Sequence, residues 1–135
     1  PPTAQTLRLP GSVLIFTAVA DAALHAPLQA AGAEIVVTPR AEQGLNLRAV
    51  MAELTRRECN EIHVECGPTL AGALLQAGLM DELVVYMAPL LLGDKARGLF
   101  RLPELTRMSE RTALEVVETR AVGKDWRLTL RSMSL

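Results

Sequence analysis

Aromatic residues are scarce in this chain: of 135 residues, only Phe16, Tyr86, Phe100 and Trp126 carry an aromatic ring. Proteins that hold single-stranded nucleic acid stack its bases on such rings, so that partner has no platform here. An excess of one charge is missing too. Fourteen Lys and Arg face fifteen Asp and Glu, a net charge of -1. No strong field draws nucleic acid or an anionic membrane. The two cysteines, Cys59 and Cys66, form no C-x-x-C pair. A zinc or disulfide framework therefore has no support, no metal is expected, and the cysteines, read as reduced, fit a cytoplasmic setting. The apolar runs all fall short of the roughly 18 residues of a spanning helix, and no signal-peptide pattern opens the chain. What remains is 50% hydrophobic and 21% charged, the composition of one ordinary globular domain.

Patterning turns that composition into elements. "SVLIFTA" (Ser12 to Ala18) is a β-branched run behind Pro10-Gly11 and predicts a strand. "DAALHAPLQAAG" predicts a helix capped by Asp21 and stopped by Gly32, with Pro27 breaking or kinking its interior. "AEIVVTP" is a second strand. In "LNLRAVMAELTRREC" the apolar positions Leu47, Val50, Met51 and Leu54 trace one helix face, and Asn46 can cap it. "EIHVEC" reads as a third strand, "TLAGALLQAG" as a helix ended by Gly78, and "DELVVYMAP" as a fourth strand. A glycine-bearing loop, "LLLGDKARGLF", precedes "ALEVVETRAVG" and "DWRLTLRSM", which predict a hairpin turning near Gly123-Lys124-Asp125. Strands alternating with helices imply an α/β fold with a parallel sheet covered on both faces. The closing hairpin makes that sheet mixed.

Chemistry concentrates in "HVECGPTLAGALLQAGL" (residues 63–79). In open α/β sheets ligands bind beyond the C-terminal ends of strands, and Glu65 is expected at such an end. Behind it, Gly67 and Pro68 lead into a helix expected to begin near Thr69. The first N–H groups of a helix lack internal partners and carry the positive end of its dipole, which suits an anion. Gly67, Ala71, Gly72 and Ala73 are small enough for a phosphate or pyrophosphate to approach, and the Thr69 hydroxyl can cap the helix or touch the anion. Small residues at a helix start equally permit close packing of the helix against its neighbours. The G-x-G-x-x-G dinucleotide fingerprint is absent. A carboxylate on an apolar strand is seldom buried without a partner, which favours a ligand role for Glu65.

"VECGPTLAGALLQAGLMDELVVYMAPLLLGDKARGLF" closely resembles the reductase domain of the bifunctional riboflavin-biosynthesis deaminase/reductase. The likeness is specific from about Ile62 to Phe100 and looser over "LPELTRM" and the hairpin. The resemblance implies a dihydrofolate-reductase-like, three-layer α/β/α fold with a mixed, mostly parallel sheet. It implies NADPH-dependent reduction of 5-amino-6-(5-phosphoribosylamino)uracil to its ribitylamino product. It assigns Glu65 to substrate and Gly67, Pro68, Thr69, Leu70, Ala71, Gly72 and Ala73 to NADPH, leaves the catalytic residues unknown, and suggests a homodimer. In that family a lysine commonly follows the proline at the end of the fourth strand; here Leu90 follows Pro89. The family's domain begins earlier than "PPTAQT", so residues 1–135 are expected to be the C-terminal part of one reductase domain, N-terminally incomplete and inactive alone. No zinc-deaminase motif of the H-x-E and P-C-x-x-C kind is present.

Other residues fit blander roles. His63 shares a strand face with Glu65 and is expected as a satisfied histidine. His25 receives no role. Asp94, Lys95 and Arg97 form a solvated loop or the edge of a substrate site, and Trp126 belongs to a core or an interface. Two further functions stay open at this point: a truncated self-association module without catalysis, and a dihydrofolate-reductase-like reductase of a pterin or another heterocycle.

Overall fold

The structure, a computed structural model, describes residues 1–42 and 44–132. The chain forms two compact units, Pro1–Ile62 and His63–Leu135. In the first, strand β1 (Val13–Thr17) lies parallel to β2 (Ala33–Val37), with Val13 beside Ala33 and Thr17 beside Val37. The crossover between them is helix α1 (Ala22–Ala30), and α2 (Leu47–Arg56) follows β2. Asp21 caps α1 by accepting the Ala23 N–H at 2.9 Å, and Asn46 caps α2 by accepting the Ala49 N–H at 3.1 Å, as their residue types predict. Gly32 follows α1 at a φ of 96°, the left-handed conformation that ends helices, and its N–H reaches the Gln29 carbonyl at 3.0 Å.

Pro27 does not break α1. It sits inside a helix that runs on to Ala30, so the expected break is absent and the helix tolerates one missing donor. The far end of α2 is tied by charge. Glu53 accepts from Arg56 and Arg57, and Arg57 also reaches Glu34 on β2, with Nη1 at 2.9 Å from the carboxylate. The hydrogen bonds from Arg56 and then Arg57 hold the Glu53 carboxyl down at about 2, well below its ordinary 4.5. The Arg57 hydrogen bond lowers Glu34 likewise.

The second unit opens with helix α3 (Pro68–Gln76), ended by Gly78 at a φ of 64°. Its sheet is antiparallel, in the order β3 (Glu82–Met87), β5 (Asp125–Ser132), β4 (Leu114–Val122). The β4–β5 hairpin turns at Gly123, as predicted, and a register shift at Val117 bulges β4. The expected last strand included Met133, which lies outside the described residues. Cross-strand register sorts the side chains. Leu83, Val85 and Met87 share one face with Leu130, Leu128 and Trp126, while Glu82, Glu118, Arg127 and Arg131 occupy the other. On that polar face Arg127 pairs with Glu118 at 3.3 Å and Arg131 with Glu82 at 3.5 Å. Trp126 remains 46% exposed at the end of the apolar face.

The α/β class holds, with one parallel pair and one antiparallel sheet among the described residues. The balance differs from a mostly parallel sheet because "EIHVEC" forms no ladder: residues 61–67 carry no strand assignment. Extended backbone is a local preference, whereas a strand needs a hydrogen-bonded neighbour. Ile62 and Val64 stay exposed on this segment. Among the described residues no helix is long and apolar enough to cross a membrane, and no His/Cys/Asp/Glu cluster could hold a metal ion. Cys59 and Cys66 are free and exposed.

Candidate functional site

The segment leading into α3 carries Glu65 to the helix start, though not on a strand as expected. The Glu65 side chain is 87% exposed, with Oε1 at 3.5 Å from His63 Nε2. His63 is therefore an exposed neighbour of the carboxylate. Two residues on, Gly67 takes the N-cap position with extended backbone, and Pro68 opens the helix. Proline suits this place because its φ is already helical and its absent N–H would have had no helical partner. The helix begins one residue earlier than expected, so Thr69 is within the first turn and does not cap it. Gly67 has no side chain to accept a hydrogen bond, and the first helical closure is the Ala71 N–H to the Gly67 carbonyl at 3.1 Å. Among the described residues the Thr69 and Leu70 N–H groups have no protein acceptor.

Beside this uncapped turn lies a recess of about 480 Å³, lined by Cys66, Gly67, Pro68, Thr69, Leu70, Arg97 and Arg101. Its two charged wall residues are both arginines. No carboxylate lines it. The loop that carries the arginines is docked on α3 through backbone. The Arg101 N–H donates to the Pro68 carbonyl at 2.9 Å. The Arg101 carbonyl lies against Gly72, where an added Cβ would meet that oxygen at 2.1 Å. Real Cβ atoms do not come so close, so glycine is required at 72 for this contact to exist.

Of the residues expected to face a cofactor, Gly67, Pro68, Thr69 and Leu70 line the recess, and Ala71, Gly72 and Ala73 do not. Gly72 is buried, and its missing side chain makes room for the loop backbone. Close packing, the second explanation for small residues here, is what the structure realises at that position. Glu65 adjoins the recess in sequence through Cys66 without lining it. Arg97 reaches the wall from the charged loop, whose Asp94 and Lys95 are exposed. Arg101 was not legible in the sequence, since only the docking of its loop on α3 brings it there.

An α/β domain with a cation-walled recess at an uncapped helix start is the class that fold and site define together. Residues 1–128 match the family described as RibD C-terminal domain, and the chain belongs to that family. It is 49% identical over 90 residues to the riboflavin biosynthesis protein RibD of Escherichia coli K12, covering 67% of this chain and 24% of that protein. It is 35% identical over 86 residues to the 5-amino-6-(5-phosphoribosylamino)uracil reductase of Buchnera aphidicola subsp. Acyrthosiphon pisum, covering 64% of this chain and 42% of that protein. The solved structure of Acinetobacter baumannii RibD (form 2) superposes with a TM-score of 0.83 at 26% identity, over 98% of this chain and 34% of the other. The chain thus spans about a quarter of the E. coli protein.

Proposed function

We propose that this chain serves the NADPH-dependent reduction of 5-amino-6-(5-phosphoribosylamino)uracil to 5-amino-6-(5-phosphoribitylamino)uracil in riboflavin biosynthesis. The observation that carries the proposal is the family match over residues 1–128, which includes the whole recess. The residues present fit a phosphate-bearing cofactor: an uncapped first turn, a glycine at its N-cap, and two guanidinium groups on the wall. When bound, the cofactor supplies the hydride that converts the ribosyl C1 to the first carbon of a ribityl chain. The chain's own residues bind and orient. Gly67, Pro68, Thr69 and Leu70 present backbone to the cofactor's phosphates. Glu65, charged and open to solvent beside His63, accepts hydrogen bonds from substrate polar groups or takes up a proton there.

A soluble cytoplasmic setting and a homodimer complete the proposal. Exposed Met87 and Trp126, paired on one face of neighbouring strands, support the dimer as apolar surface that a second copy would cover. The decisive experiment is NADPH oxidation by the enzyme carrying this chain, with the pyrimidine ribotide as substrate. Glu65→Gln keeps the side chain's shape and removes its charge. It is expected to lower turnover by about a hundredfold while leaving NADPH affinity unchanged. Wild-type turnover in that variant would remove Glu65 from the site, and no substrate-dependent oxidation by the wild-type enzyme would overturn the function.

A further inference from the structure

The polar face of the antiparallel sheet carries one charge without a counterpart. Arg127 on β5 meets Glu118 at 3.3 Å, and Arg131 meets Glu82 at 3.5 Å. Arg120 lies directly opposite Arg127 in the β4–β5 register and, among the described residues, meets no carboxylate. Like charges set opposite each other on a sheet face cost stability. One copy of the chain leaves that cost in place.

Arg120 also stands on an edge. The strand order is β3, β5, β4, so among the described residues β4 has one strand neighbour, β5. All of β4 after Leu114 is exposed, including Val116, Val117 and Val122. An edge strand offers a row of unpaired N–H and C=O groups to another strand. The bulge at Val117 bends β4 and leaves residues 118–122 in regular register.

We propose that β4 pairs antiparallel with β4 of a second copy, about a twofold axis at Thr119, so that each Arg120 meets Glu118 of the other copy. The contact rests on the homodimer proposed above and names the surface that forms it. Register selects the occupant. Opposite residues in an antiparallel pair share a sheet face, so a one-residue slip mixes the polar and apolar sides. Three registers centred within residues 118–120 avoid that. Centred on Glu118, the pair sets Glu118 against itself, and centred on Arg120 it sets Arg120 against itself. Centred on Thr119, it makes two Glu118–Arg120 pairs, and Ala121 and Val122 fall opposite Val117 and Val116. Opposite charges across strands stabilise a sheet, and the twofold repeats each pair. A second copy carries this charge order by identity, whereas a foreign strand would have to match it.

Sedimentation of the full 135-residue chain over rising concentration measures the association, and thermal melting of each variant reports folding. The wild type is expected to dimerise weakly, since a ladder this short buries less than a standard interface. Arg120→Glu gives the two readings opposite signs. Within one copy a carboxylate at 120 lies opposite Arg127 and relieves the repulsion, so melting of the monomer does not fall. Across the dimer it faces Glu118, and the dimer constant weakens about tenfold or more. Adding Glu118→Arg restores the charge order and recovers dimerisation. Thr119→Cys, in a chain with Cys59→Ser and Cys66→Ser, should oxidise to a covalent dimer. Opposite residues of a ladder stand about 4.5 to 5.5 Å apart between Cα atoms, within disulfide reach.

A chain that stays monomeric up to about 0.1 mM overturns this contact and the homodimer together. A dimer that keeps its affinity in Arg120→Glu and does not cross-link at position 119 overturns the contact and leaves the homodimer standing on another surface. Cross-linking by Arg120→Cys in place of Thr119→Cys overturns the register and with it the Glu118–Arg120 pairs. None of these results touches the proposed reduction, which stands or falls on NADPH oxidation.

Discussion

Helices α2 and α3 start in opposite ways. Asn46 closes the start of α2 with its own side chain, accepting the Ala49 N–H, and α1 is closed by Asp21 in the same manner. Gly67 closes nothing at the start of α3, and two arginines stand next to the donors it leaves open. Capping oxygens at α1 and α2 satisfy groups that would otherwise cost stability. At α3 the donors remain available to a ligand. Side-chain caps thus separate two helix starts that the chain closes itself from one that it leaves open, and the distinction rests on a single residue at each end.

Gly72→Val tests α3 most severely. The added Cβ meets a backbone oxygen, which cannot rotate aside, so a loss of about 3 kcal/mol is expected in chemical denaturation. A stability loss below that of a surface substitution would show that the Arg101 loop does not pack on Gly72. Next in size is Asn46→Ala, which removes the cap of α2 and should cost about 1 kcal/mol. An unchanged denaturation midpoint would mean that the two helix starts do not differ as described.

The charged end of α2 should give a smaller effect that depends on pH. Glu53 has a depressed carboxyl pKa in the folded chain, so its contribution is present above its ordinary 4.5 and is lost as the pH falls toward about 2. Melting curves across that window should fall more steeply for the wild type than for Glu53→Gln. Parallel curves would remove the arginine contacts from the balance. The smallest change in stability, and the sharpest in function, is expected from Gly67→Asp. An added Cβ at 67 has nothing within 4 Å, so the aspartate can cap α3 and stabilise it by a few tenths of a kcal/mol. The same carboxylate would repel a phosphate from the recess. Undiminished pyrophosphate affinity in that variant would show that the open helix start is not used by a ligand.

Most elements were legible because they depend on neighbours close in sequence. Apolar spacing marked α2, β-branched runs marked β1, β2 and β3, and Asp21, Asn46, Gly32 and Gly78 marked helix ends through chemistry confined to one turn. The "VECGPTLAG" stretch pointed to the helix start and to four residues that line the recess. The third strand misled because alternation in "EIHVEC" reports a preference for extended backbone and says nothing of a partner for its hydrogen bonds.

The sequence by itself therefore determined the α/β class, the helix punctuation and the glycine-proline start of α3. Each follows from rotamers, caps and hydrogen bonds within a few residues. Tertiary structure alone decided that Arg101 joins the recess, that Ala71, Gly72 and Ala73 do not line it, and that Gly72 answers to a carbonyl from a distant loop. Those contacts join residues far apart along the chain. Their geometry exists only once the loop has docked on α3, because no local preference of either segment encodes the approach of the other.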